Sequence, residues 1–238
     1  MFRDWDAGEE PARAVQDGLG QRGHSALAGA MPAAAPPSPI QLGRDPRKLL
    51  LQAIVETVAL RGYDRTTTSR VLSLTGLEEA VFSEHFRDKR DCFAEAIDAL
   101  LDSGESATHT LIEDAERPWA ERVRAGLARL LHALAEDPAA ARVLLVEMLA
   151  AGPELYERRR AATAVLTELM EQGRNESEGA AQLPSQTSEA VVGGVLAILH
   201  RRALQGELAQ LPTLHEDLLY FALLPYLEHE RAAAIAAG

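Results

Sequence analysis

A single cysteine, Cys92, stands in the 238 residues. No internal disulfide can form, and nothing points to an oxidising compartment. Aromatic side chains make up only 5% of the chain against 47% hydrophobic residues overall, which leaves the core to Leu, Ala, Val and Ile. Ala and Leu are strong helix formers, whereas strand-rich proteins draw on β-branched and aromatic residues. The composition therefore leans all-α. No stretch approaches the ~20 uninterrupted apolar residues of a membrane span, and Met1 to Glu10 lack the basic start and apolar run of a secretory signal. A soluble, cytoplasmic protein is expected, with no membrane partner. Also missing are a Gly-rich phosphate loop, histidines paired at metal-ligand spacing and a Gly-x-Ser-x-Gly nucleophile motif. No enzyme, no metal site and no cofactor are expected.

The net charge of −12 at first argues against a polyanionic partner, but the charge is unevenly spread. Residues 44–95 carry nine basic and nine acidic side chains, while residues 96–238 carry twelve and twenty-two. The segment without net negative charge is the one fit to approach nucleic acid.

Residues 1–43 show no apolar periodicity, and twenty of them are Ala, Gly or Pro. Such a segment buries too little surface to offset its ordering entropy, so a disordered tail is expected, with Met31 as an alternative start. Order is expected from Asp45-Pro46, a cap followed by a first-turn proline. Leu50, Ile54, Val58 and Ala59 then repeat at helical spacing up to Gly62. The cluster Thr66-Thr67-Thr68-Ser69 starts a second short helix, broken at Thr75-Gly76. A third, Glu78 to His85, buries Leu77, Val81 or Phe82, and Phe86. Arg87 to Arg90 reads as a charged turn, and a fourth helix starts near Asp91. Three short helices, the last two joined by a tight Gly turn, match a helix-turn-helix, which lays its second helix of that pair in the major groove.

Beyond residue 93 the pattern stays helical. Helices are expected from Pro118-Trp119 to Asp137-Pro138, over about 139–151, 154–172 and 189–207, and over 213–234 with a kink or break at Pro225. Gly173 to Ser188 reads as a long exposed loop. The expected fold class is all-α: a tail over 1–43, a three-helix helix-turn-helix domain over 44–93, and a larger helical ligand-binding and dimerisation domain over 94–238.

Residues 47–93 resemble the TetR family of bacterial transcriptional regulators. The string that carries the resemblance is Lys48-Leu-Leu-Leu-Gln-Ala-Ile, Gly62-Tyr63, Thr66-Thr67, Thr75-Gly76-Leu77, Phe82, His85-Phe86 and Lys89. The resemblance implies a homodimer on a palindromic double-stranded DNA operator, usually a repressor released by a small-molecule effector. It places Thr67 as cap of the second helix and, with Thr68, near a phosphate. It also places His85 and Lys89 at backbone phosphates and Glu79, Ala80 and Ser83 in the groove. Arg47 or Lys48 would reach the flanking backbone. Phosphate contacts position such a protein, and groove-facing side chains choose the sequence. The chain departs from the family pattern at Glu78, commonly Ser, and at Ser83, very often a phosphate-binding Tyr. With Glu79 and Glu84, these departures motivate an alternative: a helical ligand-binding or protein-interaction module that has lost operator binding.

Further candidates carry two readings each. Trp119, Met148, Tyr156 and Met170 either line a ligand pocket or are plain core. Gly193-Gly194, flanked by Ala190 and Ala197, makes a small-residue face that suits a dimer interface or close packing within one subunit. Cys92 reads as a small buried side chain rather than a redox sensor.

Overall fold

The computed structural model describes residues 45–148, 151–177 and 179–238. The expected tail over 1–43 lies outside them. Every element among the described residues is helical. Helix α1 spans Pro46–Arg61, with the Asp45 carboxylate accepting from the Arg47 N–H at 3.0 Å and the proline inside the first turn. Helix α2 is Thr68–Thr75 and α3 is Glu79–His85. Gly76 joins them at φ +69°, the left-handed conformation that glycine adopts without a Cβ clash. Phe82 turns into the core and Val81 is half-buried.

Helix α4 is Lys89–Glu113, starting two residues before the expected point. Asp88 caps it by accepting from the Asp91 N–H at 2.9 Å, which draws Lys89 and Arg90 out of the expected turn and into the first turn of the helix. Helix α5, Trp119–Glu136, and α6, Pro138–Arg142, meet at Asp137, whose side chain caps α6. A π-helical turn, Val143–Glu147, continues α6. Helix α7 is Pro153–Glu176, α8 is Thr187–Gln205, α9 is His215–Leu223 and α10 is His229–Ala237. The break between α9 and α10 contains Pro225, as its missing N–H and ring demand.

The expected loop over 173–188 is corrected. Helix α7 runs on to Glu176, a 3-10 turn follows at Ala180–Gln182, and Ser177, Ala180 and Ser188 are buried. Gly173 is in the helix because the Trp119 indole lies against it: a Cβ there would sit 2.4 Å from Trp119 Cζ2. The indole Nε1–H donates to Leu169 O at 2.7 Å, and Tyr226 packs on the ring at 4.9 Å. Polar composition suggested a loop, but long-range packing decided for a helix.

Two hydrophobic clusters form. One gathers Leu50, Ile54, Phe82, Phe86, Phe93 and Ile97 with Val143, Met148 and Leu155. The other gathers Trp119, Leu131, Leu169, Leu199, Leu211 and Leu219. Helix α4 enters the first through Phe93 and Ile97 and continues well past it, and the π turn places residues in both.

Candidate functional site

The reading head is a small three-helix unit resting on α4. Phe82 and Phe86 anchor α3 to α1, and this turns Glu79, Ala80, Ser83 and Glu84 outward as one exposed face. Ser83 Oγ donates to Glu79 O at 3.0 Å. Glu78 occupies the N-cap and Glu79 the first turn of α3, where the helix dipole favours carboxylates. Thr67 stands at the N-cap of α2 in extended conformation without a side-chain capping bond, so its hydroxyl is free to meet an outside acceptor. Thr67 is exposed and Thr68 half-buried beside it.

The cations divide. Lys48 is exposed. Arg47 pairs with Glu95 and lies 5.8 Å from the Phe86 ring centroid. Lys89 Nζ donates to Tyr63 O at 2.9 Å and sits 4.0 Å above the Tyr63 ring, so its ammonium is held at the start of α4 by the residue after Gly62. His85 is half-buried with its ring 6.2 Å from that of Phe86. Arg65 and Arg70, both exposed, bracket the threonine cluster. They add positive charge that the family motif does not point to, although their spacing around Thr67 and Thr68 signals it.

Cys92 is fully buried, its Sγ 3.9 Å from Leu50 O. Burial, then the nearby Glu95 and Asp91 carboxylates, push its thiol up to about 12. Iodoacetamide at pH 8 is expected to leave Cys92 unmodified in the folded protein and to alkylate it in denaturant, as mass spectrometry would read.

A cavity of about 320 Å³ lies between α4, α5, α7 and α8. Leu101, Leu127, Leu144, Leu166 and Val195 make it apolar, and Glu105, Thr108 and Arg129 supply its polar groups. Arg129 is exposed, which puts a guanidinium at the rim. Of the four expected pocket residues, Met170 lines this cavity. Trp119 sits in the C-terminal cluster and Met148 in the cluster under the head, while Tyr156 is 56% exposed. The wall residues are ordinary Leu and Val at helical spacing, and nothing in their sequence separates them from core.

The small-residue stripe of α8 splits in two. Ala190, Gly193 and Ala197 face outward, and Gly193 has open space at its Cβ position. Gly194 faces inward, where a Cβ would lie 3.0 Å from Phe221 Cζ. Leu204, Phe221 and Leu224 are exposed at 57%, 41% and 42%. Leu204 follows Ala190 and Ala197 at intervals of seven, the signal that would have extended the stripe.

Among the described residues, no three His, Cys, Asp or Glu side chains group as a metal site would require, and no helix is long and apolar enough to cross a membrane.

The family pattern described as bacterial regulatory proteins, tetR family, matches residues 50–96. No curated protein matches the chain. Several solved structures share its fold. The fatty acid degradation regulator FadR from Bacillus halodurans is similar at a TM-score of 0.67 and 16% identity, over 77% of this chain and 97% of its own. FadR from Bacillus subtilis, solved with stearoyl-CoA, is similar at 0.65 and 16%, over 75% and 98%. SmeT, the repressor of the multidrug efflux pump SmeDEF of Stenotrophomonas maltophilia, is similar at 0.62 and 19%, over 76% and 90%.

Proposed function

The chain belongs to the tetR family of bacterial regulatory proteins, and from that premise we propose that it is a cytoplasmic, homodimeric repressor that an apolar small molecule releases from a palindromic operator. The observation that carries this reading is the pairing, in one all-helical chain, of an outward-facing α3 with an apolar cavity that shares α4 with the head. In this reading residues 44–93 bind DNA, and residues 94–238 hold the effector and the partner subunit.

Two α3 helices read successive major grooves when the subunits hold them about one helical turn, ~34 Å, apart or a multiple of it. Thr67, Thr68, His85 and Lys89 fix the backbone register, with Arg47 or Lys48 flanking. Glu79, Ala80 and Ser83 meet base edges, where a carboxylate suits the cytosine amino group. The exposed face of Ala190, Gly193 and Ala197 lets the partner's α8 approach closely, and Leu204, Phe221 and Leu224 add apolar surface there. The effector has an apolar body with one polar end that reaches Glu105, Thr108 or Arg129. Its binding favours a spacing of the heads that no longer fits both half-sites. The acyl ligand seen on FadR of Bacillus subtilis is of the same broad chemistry.

Selection of random duplex DNA by the purified protein at low salt tests the reading. An enriched palindrome, bound by a dimer or a pair of dimers, is expected. A folded dimer that enriches nothing would mean that the acidic face of α3 has abandoned DNA. On the enriched duplex, Lys89→Ala is expected to weaken all sequences alike and to lower the salt slope by about one. Fluorescence anisotropy across salt concentrations reads both.

A further inference from the structure

The π turn Val143–Glu147 is the seam between the cavity and the head. A π turn holds one residue more than the α-helix it interrupts, and such turns cluster at functional positions. Within these five residues the side chains part company. Leu144 lines the cavity, Leu145 enters the C-terminal cluster, and Val143 enters the cluster under the head. Leu145 O is held by His200 Nδ1 of α8 at 2.6 Å.

Glu147 is the residue that neither cluster explains. It is 8% exposed, and its Oε2 accepts the Tyr63 N–H at 3.1 Å. Arg142 lies 3.6 Å from the other oxygen. Burying a carboxylate is costly unless it is paired and hydrogen-bonded, and here the partners are one arginine and one backbone amide of a distant helix end. That amide belongs to the turn after α1, where Gly62 holds φ +83°. The carbonyl of the same residue, Tyr63, accepts from Lys89 Nζ. One residue therefore joins a carboxylate from the effector side to a cation at the DNA side.

We propose that Glu147 is a positioning residue for the reading head, and that the π turn is the switch that moves it. A ligand pressing on Leu144 favours the α-helical form of this turn. Removing the extra residue rotates one flank of the turn against the other by about 100° and withdraws Glu147 from the Tyr63 amide. The Gly62-Tyr63 turn then loosens, and Lys89 loses its fixed placement. The proposal rests on the reading of the cavity as the effector site.

The test needs neither the natural ligand nor DNA. Ala162 lines the cavity from α7, so Ala162→Phe fills the space from within, and Leu166→Phe serves where that variant fails to fold. Amide hydrogen exchange at Tyr63 is measured by NMR in the full-length protein. We expect either filling variant to speed exchange at Tyr63 about tenfold or more while Ile54, inside α1, stays protected. Glu147→Ala should be fast without any filling, and Glu147→Gln, which keeps an acceptor oxygen, should restore slow exchange. An unchanged Tyr63 rate in a folded filling variant, or slow exchange in Glu147→Ala, overturns the proposal. Fast exchange in a protein that enriches no DNA sequence would instead sink the operator reading and leave the switch standing.

Discussion

Ala197→Glu is expected to yield a folded monomer whose affinity for the selected palindrome is lower by about 10²-fold or more. Ala197 is exposed on α8, on the same outward face as Ala190 and Gly193, so a carboxylate there costs the subunit little. Across a two-fold interface the change counts twice, and it sets two carboxylates against each other where two helix backbones must come close. A dimer binds two half-sites with the second contact made intramolecular, which raises avidity by roughly 10²–10⁴ over one head. Loss of the dimer forfeits that factor without touching α3. Sedimentation and anisotropy together decide the matter. A variant that stays dimeric with unchanged affinity would move the interface off this face.

The second large effect falls on stability. Arg122→Ala is expected to cost about 3–5 kcal/mol, read as a lower urea midpoint at unchanged slope. The Arg122 side chain is 2% exposed. Its Nε donates to Arg117 O at 3.0 Å, and its Nη1 reaches Leu111 O and Ile112 O, both at 3.4 Å, and the Gln172 amide oxygen. Its Nη2 pairs with Glu176, whose other oxygen accepts the Trp119 N–H at 3.1 Å. Leu111 O and Ile112 O are among the last carbonyls of α4, which lack helical donors of their own. Gln172 Nε2 serves Ile112 O as well, at 3.2 Å. Arg122 thus ties the end of α4 to the start of α5 and the end of α7, and truncation leaves a cavity and unsatisfied acceptors together. Arg122→Lys should recover only part of the loss, since a single ammonium cannot serve three helices at once. A loss below about 1 kcal/mol in the alanine variant would show that water replaces the guanidinium.

Much of the head was legible because its signals are local. Asp45-Pro46 before α1, Gly62 after it, Gly76 between α2 and α3, and Asp137-Pro138 between α5 and α6 all act through backbone groups within about four residues. The apolar positions Leu50, Ile54 and Val58 are buried as their spacing requires. The charged stretch over 87–90 was misread by one cap, because the choice between a turn and a first helical turn rested on a single side-chain acceptor at Asp88.

The sequence by itself determined the class of the fold, the three-helix head, and the position of most helix ends. Only the tertiary structure decided that Gly173 stays helical under Trp119, that Gly193 faces out while Gly194 faces in, and that Met170 rather than Trp119 borders the cavity. It also decided that Lys89 leans on Tyr63 and that Glu147 reaches across to the same residue. Propensity, capping and periodicity are properties of neighbours along the chain. A cavity wall or a buried carboxylate depends on groups from distant segments, such as Glu147 with Tyr63 or Arg122 with Glu176, which packing alone brings together.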